Sequence, residues 1–170
     1  DIDNCTHLIL PGVGSFDFAM KKIVSLKLQK IINKVQNSNI KILGICLGLQ
    51  LMLLSSKEGK SKGLSLIKKN YEKLKIDKSK NFKVPNVGFK KILVKKRSDN
   101  LFENLDNSYF YFTHSFALYD NLDLDQYSMT EHSNDFISAF SRNNLYACQF
   151  HPEKSQSSGL IFLKNFFLIG

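Results

Sequence analysis

The sequence predicts an α/β fold in which a parallel sheet flanked by helices is extended by a largely antiparallel section. Residues 1–54 alternate short apolar runs with segments of helical periodicity, the order expected of parallel strands joined by helical crossovers. After about residue 63, short strand-like runs follow one another with polar connections. A chain of 170 residues, 43% of them hydrophobic, fits a single domain, which we predict over residues 1–170.

The N-terminal elements lie around a glycine-rich loop. The apolar run His7–Leu10 predicts a buried strand, and Pro11-Gly12-Val13-Gly14 ends it and predicts a loop. Ser15 and Asp17 are suitable caps for a helix that runs to about Leu26. The next predicted elements are a helix at about 28–35, a strand at 40–43, a tight turn at 44–48 and the start of a helix at 49–54.

The second half of the chain is predicted to be mostly strands. Short runs rich in β-branched and aromatic residues predict strands at 64–67, 73–76, 90–94, 109–113 and 136–140. A further apolar run at 145–150 predicts one more strand, and a helix is expected from about 159 to 168. The fold class is therefore α/β, with the antiparallel section added to the parallel one.

Composition excludes several functional classes. The three cysteines are widely spaced and form no C-x-x-C pair, which argues against a disulfide framework and a zinc site. The formal charge is +9, but Arg97 and Arg142 are the only arginines, which disfavours nucleic-acid binding. No run is long and apolar enough to span a bilayer, and the first residues are not those of a signal peptide, so we expect a cytoplasmic protein without membrane contact. The lysine-rich stretch at 57–97 fits a solvated face or a docking surface for an acidic partner.

The segment Gly44-Ile45-Cys46-Leu47-Gly48 has the form of a nucleophile elbow. It lies between a predicted strand and a predicted helix, where flanking glycines relieve crowding around a strained central residue. The positive end of the following helix would favour the Cys46 thiolate. A buried structural cysteine is the competing interpretation.

His151-Pro152-Glu153 follows the last predicted strand. A thiol nucleophile needs a base and a group that orients the base, and His151 and Glu153 supply both. Alone, this tripeptide would more often be a surface turn. The loop Pro11–Gly14 adds a third element, because small residues let backbone N–H groups approach an oxyanion.

Four motifs together resemble one branch of the class I glutamine amidotransferases. The chain is similar to the glutaminase subunit of imidazole glycerol phosphate synthase, the HisH family, over nearly its whole length. The matching segments are Leu10–Phe16, Gly44–Gln50, Tyr111–Ser115 and Gln149–Ser155. The resemblance implies a flavodoxin-like fold without a cofactor or a metal. Family members place a strand, a helix and another strand before the segment that begins at Asp1, so we expect an N-terminally incomplete domain.

The resemblance also implies a role for each matching residue. Cys46 would attack the carboxamide of L-glutamine, His151 would transfer protons and Glu153 would orient His151. The oxyanion hole would be formed by the backbone at Gly12, Val13 and Leu47. The substrate-binding residues would be Gly14, Gln50, Glu58, Ser115 and Phe116.

In this family, ammonia passes to a (β/α)₈ cyclase of the HisF type, which forms imidazole glycerol phosphate and AICAR in histidine biosynthesis. Three residues match segments that face this partner, namely Asn86, Phe89 and Lys154. Family members usually carry His and Trp at the positions of Asn86 and Phe89. The acceptor could therefore be a sugar, as for HisH-like ammonia donors in surface-glycan synthesis. A binding-only relative without activity and a cysteine hydrolase of a different substrate are further interpretations that the sequence leaves open.

Overall fold

The architecture is described from a computed structural model that covers residues 4–77, 79, 82–121 and 123–170. Eleven strands and four α-helices are present in these residues, with 3₁₀ turns at Asn100–Phe102 and Pro152–Lys154. In chain order the elements are β1 (His7–Leu10), α1 (Phe16–Ser25), α2 (Leu28–Gln36), β2 (Lys41–Ile45), α3 (Leu47–Met52), β3 (Leu53–Ser56), β4 (Ile67–Lys73), β5 (Asn86–Lys91), β6 (Leu93–Lys96), β7 (Tyr109–His114), β8 (Phe116–Ala117), β9 (Gln126–Thr130), β10 (Phe136–Arg142), β11 (Leu145–Cys148) and α4 (Gln156–Phe167).

The central feature is a six-stranded mixed sheet in the order β1-β2-β11-β10-β9-β6. The strands β1, β2 and β11 are parallel, whereas β11-β10, β10-β9 and β9-β6 are antiparallel pairs. Two smaller assemblies accompany it, a three-stranded sheet β3-β4-β8 and a ribbon β5-β7. The predicted fold class is confirmed, since the antiparallel section continues the parallel sheet through β10.

Adjacent residues of β2 face opposite sides of the sheet and separate two apolar cores. Ile42 belongs to the core that includes Phe16 of α1 and Leu49 of α3. Leu43 belongs to the core on the other face, with Phe150 and with Phe162 of α4. Strands buried on both faces are typical of sheets covered by helices on both sides. The ends of β2 and β11 are therefore fixed by packing above and below.

The helix α1 has one of its two predicted caps. The Ser15 hydroxyl accepts a hydrogen bond from the Phe18 N–H at 3.5 Å, as an N-cap residue does. Asp17 instead accepts hydrogen bonds from the backbone N–H groups of Lys60 and Ser61. These bonds lower the pKa of the Asp17 carboxyl, beginning with those from Ser61. The cap assignment of Asp17 was wrong, because this carboxylate anchors the loop after β3.

Several strand predictions need correction. The predicted strands at 64–67 and 73–76 are replaced by β4, which begins at Ile67 and ends at Lys73. The apolar run after Cys46 does not continue as a helix to residue 54, because Leu53 begins strand β3. Strands β8 and β9 were not predicted at all. The strands β1 and β7 and helices α1 and α2 lie within a residue or so of their predicted positions.

No helix in the described ranges combines the length and the apolar character needed to cross a membrane. The same residues contain no group of three or more His, Cys, Asp or Glu side chains that could hold a metal ion.

Candidate active site

The Cys46 elbow joins β2 to α3 by a sharp turn. Cys46 has φ 50° and ψ −100°, a backbone conformation that side chains rarely adopt. A Cβ atom on Gly48 would lie 1.7 Å from the Leu10 carbonyl oxygen, and one on Gly44 would lie 2.8 Å from the Gly48 backbone. Both flanking glycines are therefore required by close backbone approach, as the elbow interpretation predicts.

The resting state of the Cys46 thiol differs from the prediction. Burial raises its pKa to about 11, and the negative charges of Glu153 and Glu58 add to this effect. The Leu47 backbone N–H and the charge of Lys154 act in the opposite direction. Desolvation thus outweighs the helix N-terminus, and α3 has only 6 residues to supply a dipole. The neutral thiol prevails at neutral pH, so formation of the thiolate requires a base.

The two ring nitrogens of His151 have different environments: Nδ1 bonds to Glu153, and Nε2 is available to act as a base. Nδ1 lies 2.7 Å from Glu153 Oε1, and because a carboxylate only accepts, Nδ1 carries the proton. Nε2 is buried and has no hydrogen-bond partner among the described residues. A neutral His151 therefore has an unprotonated Nε2, which is the nitrogen that a base would use.

The His151 backbone is fixed from two sides. Its N–H donates to the Tyr111 carbonyl at 2.9 Å, and its carbonyl accepts from the Ser155 hydroxyl at 2.6 Å. The Ser155 oxygen in turn accepts from the Tyr111 N–H at 2.9 Å. This closed set of bonds ties the base to strand β7, which limits the movement of the imidazole.

The thiol and the base come from neighbouring parallel strands. Cys46 follows β2 and its N–H donates to the Cys148 carbonyl of β11 at 2.8 Å. His151 follows β11 by three residues. Open α/β sheets bind ligands at the carboxyl ends of such strands, and both residues lie at that edge.

An open cleft with a volume of about 360 Å³ lies above these strand ends. It brings together most of the sequence-predicted site residues: Val13, Gly14, Cys46, Leu47, Gln50, Glu58, Ser115, Phe116 and His151. Gly12 lies behind Leu47, since an added Cβ would be 3.1 Å from the Leu47 Cβ. Glu153 does not line the cleft and reaches the site through His151.

Glu58 and Gln50 form a polar group at one part of the cleft wall. The Gln50 amide donates to Glu58 Oε2 at 2.5 Å and to Ser56 Oγ at 2.7 Å. Because its nitrogen is used in this way, Gln50 can offer its side-chain oxygen to a ligand. A carboxylate beside an amide oxygen is suited to a ligand that carries an ammonium group.

Comparison with known proteins agrees with this geometry. The Glutamine amidotransferase class-I family matches residues 2–169. The chain is 43% identical to imidazole glycerol phosphate synthase subunit HisH 2 of Methanococcus maripaludis, over 97% of this chain and 81% of that protein. It is 44% identical to subunit HisH 1 of Parasynechococcus marenigrum, over 98% and 80%. The chain belongs to the HisH family of class I glutamine amidotransferases.

A solved structure supports the fold of this HisH-family chain. A crystal structure of a protein assigned to GMP synthase, from Thermoplasma acidophilum, aligns with a TM-score of 0.68 at 24% identity. The alignment covers 97% of the HisH-family chain and 72% of the Thermoplasma protein. At this identity the likeness concerns the fold alone.

The residues assigned to a partner surface of the HisH-family chain separate into two groups. Phe89 is 46% exposed, and its ring lies edge to face with that of Tyr111, with 5.6 Å between the ring centroids. The Lys154 ammonium lies 5.7 Å from the centre of the same Tyr111 ring. Asn86, in contrast, is buried, and its amide lies 2.9 Å from His114 Nε2. The prediction that the Asn86 side chain faces a partner is therefore corrected, since it points into the protein.

Sequence reasoning missed five residues that line the cleft of this HisH-family chain: Tyr71, Pro85, Thr113, His114 and Gln149. His114 is held neutral, because burial lowers its pKa to about 4. Its Nδ1 donates to the Phe116 carbonyl at 2.7 Å, which leaves Nε2 to accept from the Asn86 amide. His114 and Gln149 lie within motifs that carried the resemblance, and that position was the available signal.

Proposed function

We propose that this HisH-family chain hydrolyses L-glutamine to glutamate and ammonia, with Cys46, His151 and Glu153 as its catalytic triad. The observation that carries the proposal is His151, which lines the same cleft as Cys46 while Glu153 holds its Nδ1 and its buried Nε2 has no hydrogen-bond partner among the described residues. The class I glutamine amidotransferase family and its HisH relatives support this reaction.

In the first half-reaction, the Cys46 thiol gives its proton to His151 Nε2 and the sulfur attacks the carboxamide carbon of glutamine. The negative charge that forms on the amide oxygen is stabilised by backbone N–H groups, which we assign to Val13 and Leu47. His151 then returns the proton to the departing nitrogen. The C–N bond breaks, ammonia leaves and a glutamyl thioester remains on Cys46.

In the second half-reaction, His151 takes a proton from water while the water oxygen attacks the thioester carbon. The C–S bond breaks, the sulfur regains a proton from His151 and glutamate is released. Glu153 stabilises the imidazolium that forms in both halves. Glu58 and Gln50 bind the substrate ammonium, and Gly14, Ser115 and Phe116 complete the pocket for the amino-acid end.

We assign the ammonia to a HisF-type (β/α)₈ cyclase partner that forms imidazole glycerol phosphate and AICAR in histidine biosynthesis. Several relatives between 34% and 44% identical carry the name of the HisH subunit of that synthase, which supports this assignment over transfer to a sugar. We expect contact with the cyclase through the exposed Phe89 and Lys154, which lie against the half-buried ring of Tyr111.

The test is glutamate release from glutamine, with and without a HisF-type barrel and its nucleotide ligand. We expect activity that increases with the barrel and disappears in Cys46→Ala. Activation by the ligand of a sugar-modifying system, with none by the histidine-pathway nucleotide, would favour the sugar acceptor. A folded protein without activity in every combination would refute the enzyme proposal and leave the binding-only interpretation.

A further inference from the structure

Two buried side chains beneath the cleft form a polar chain that ends on the Cys46 sulfur. Gln149 and Tyr71 are 0% and 2% exposed. The Tyr71 hydroxyl donates a hydrogen bond to Gln149 Oε1, and Gln149 Nε2 lies 3.8 Å from Cys46 Sγ. Tyr71 lies in β4 and Gln149 follows β11, so these hydrogen bonds connect two sheets to the nucleophile.

The chemistry of the three groups fixes the direction of this chain. Once Cys46 has ionised, its thiolate only accepts hydrogen bonds, so in that state the Gln149 amide must present its NH₂ group to the sulfur. Its oxygen then faces Tyr71, whose hydroxyl must donate. Burial holds the pKa of the Tyr71 phenol well above its usual range, which keeps this donor protonated. In the described part of the chain, Nε2 has no hydrogen-bond partner other than the Cys46 sulfur.

We propose that Tyr71 and Gln149 are a positioning pair that holds a hydrogen-bond donor on Cys46 and stabilises its thiolate. The inference rests on the proposed function for its role in catalysis. The pair meets a need of the site, because burial opposes ionisation of this thiol and a donor to the charged form offsets that penalty. The Leu47 N–H contributes a second donor from the elbow itself.

The shape of the site explains why the tyrosine is needed. The Gln149 backbone is fixed by its N–H bond to the Ser138 carbonyl at 2.8 Å, but its amide can rotate by half a turn without a clash. A rotated amide would direct its oxygen at the sulfur and repel the thiolate. In the productive orientation the buried Gln149 Oε1 needs a donor, and the Tyr71 hydroxyl supplies it, which stabilises that orientation. The Tyr71 ring is retained in place by stacking on Phe116, with 6.4 Å between the ring centroids.

The experiment measures alkylation of Cys46 by iodoacetamide as a function of pH, followed on the tryptic peptides by mass spectrometry. Tyr71→Phe removes the hydroxyl and keeps the ring. We expect it to lower the Cys46 alkylation rate at about pH 8 roughly tenfold and to move the midpoint upward by about one pH unit, the usual effect of losing one hydrogen bond to a charged group. Alkylation of Cys5 in the same samples provides the reference rate.

Two further variants separate positioning from packing. Tyr146→Phe removes the hydroxyl of another buried tyrosine, which lies outside the cleft and donates to Asp99 Oδ2 at 3.3 Å. This variant should leave the pH midpoint of Cys46 alkylation unchanged. Gln149→Met removes the donor itself and should reproduce the shift of Tyr71→Phe. The double variant Tyr71→Phe/Gln149→Met should shift the midpoint no further, because both changes remove the same bond.

A midpoint in Tyr71→Phe equal to that of the unaltered protein, or shifts that add in the double variant, would overturn the pair. The glutaminase assay is a separate readout, in which Tyr71→Phe should lower kcat about tenfold with KM within about twofold. If the unaltered protein proves inactive as a glutaminase, the proposed function fails, yet the alkylation profile still decides whether the pair stabilises the thiolate.

Discussion

At the scale of single residues, the site depends on which atoms carry protons. The raised pKa of Cys46 means that the thiol is neutral in the resting protein, so in the proposed mechanism formation of the thiolate is coupled to proton transfer to His151. The Glu153 carboxylate makes this transfer possible by holding the proton of His151 on Nδ1. Catalysis should therefore be sensitive to any change at Glu153.

We expect Glu153→Gln to lower kcat by about 10³-fold with a smaller change in KM, because an amide neither fixes the tautomer nor stabilises the imidazolium. Steady-state glutamate release measures both constants. The exposed Glu131→Gln provides a matched control, since it makes the same chemical change away from the cleft. More than half of the original kcat in Glu153→Gln would contradict the assignment of Glu153.

We expect the free energy of unfolding to fall in acid because of His114. Its pKa is lowered to about 4 in the folded protein, chiefly by burial, whereas an ordinary histidine titrates near 6.5. The unfolded chain then binds more protons than the folded one between these values, so this contribution is full above about pH 6.5 and falls as the pH drops towards 4. The loss is of the order of 3 kcal/mol.

Urea unfolding at about pH 7 and pH 4.5 measures this effect. His114→Gln removes the titrating group and keeps an amide that can bond to Asn86. We expect the stability of the unaltered protein to fall more steeply with acid than that of His114→Gln. If the free energy of unfolding depended on pH equally in the two proteins, His114 would not be held neutral in the folded state.

The residues of the proposed triad could be picked out from the sequence because their signals are local. Cys46 lies between two glycines and His151 lies two residues from Glu153. Each pattern alone has a commoner structural interpretation, and their occurrence together indicated the chemistry. Tyr71 could not be predicted, because its partner Gln149 is distant in the chain and only the folded sheet brings them together. Asn86 was placed on the surface for the same reason, since its partner His114 becomes a neighbour only through the pairing of β5 with β7.

At the scale of elements, the glycine that follows Cys46 in the elbow lets α3 pack closely against β1. Gly48→Ala should lower the free energy of unfolding by about 3 kcal/mol or more, because the new Cβ would overlap the Leu10 carbonyl oxygen. Urea unfolding gives the change. Gly170→Ala is the control, since a Cβ at Gly170 would have no neighbour within 4 Å. Equal stability of both variants would mean that β1 and α3 separate easily.

The ribbon β5-β7 presents the aromatic group proposed to contact the cyclase. We expect Phe89→Ala to reduce stimulation by a HisF-type barrel about tenfold, as removal of an aromatic anchor does at protein interfaces. The assay is glutamate release at increasing barrel concentration. Val24→Ala on α1, where the side chain is also exposed, should leave stimulation unchanged. An unaltered response of Phe89→Ala would place the interface elsewhere.

Elements were predictable where the apolar pattern was local and were missed where it was not. Strand β9 buries Gln126, Ser128 and Thr130, so its alternation is polar and the sequence shows no apolar stripe. Two of these side chains bond to groups outside the strand: the Ser128 hydroxyl to Ser138 Oγ and the Thr130 hydroxyl to the Lys91 carbonyl. Strand β8 has only two residues, which is too short for any pattern to appear. Strand β3 was taken as helix because its apolar run continues that of α3.

At the scale of the whole molecule, the sheet is ordered by contacts between distant parts of the chain. The parallel pair β2-β11 joins residues about a hundred positions apart and separates the two apolar cores. Sequence reasoning could give the class of this arrangement, because alternating strands and helices followed by consecutive strands restrict the topology. It could not give the strand order, since local patterns do not specify the position of β11 between β2 and β10.

The pairing of β2 with β11 also makes the molecule divisible into complementary halves. Residues 1–77 carry the thiol, whereas residues 82–170 carry the imidazole and its carboxylate, and the pairing of β2 with β11 brings them to one cleft. Neither half alone holds a complete set of reacting groups. Two separately produced fragments would therefore regain glutaminase activity only on reassociation, so turnover would report the rate and extent of fragment complementation.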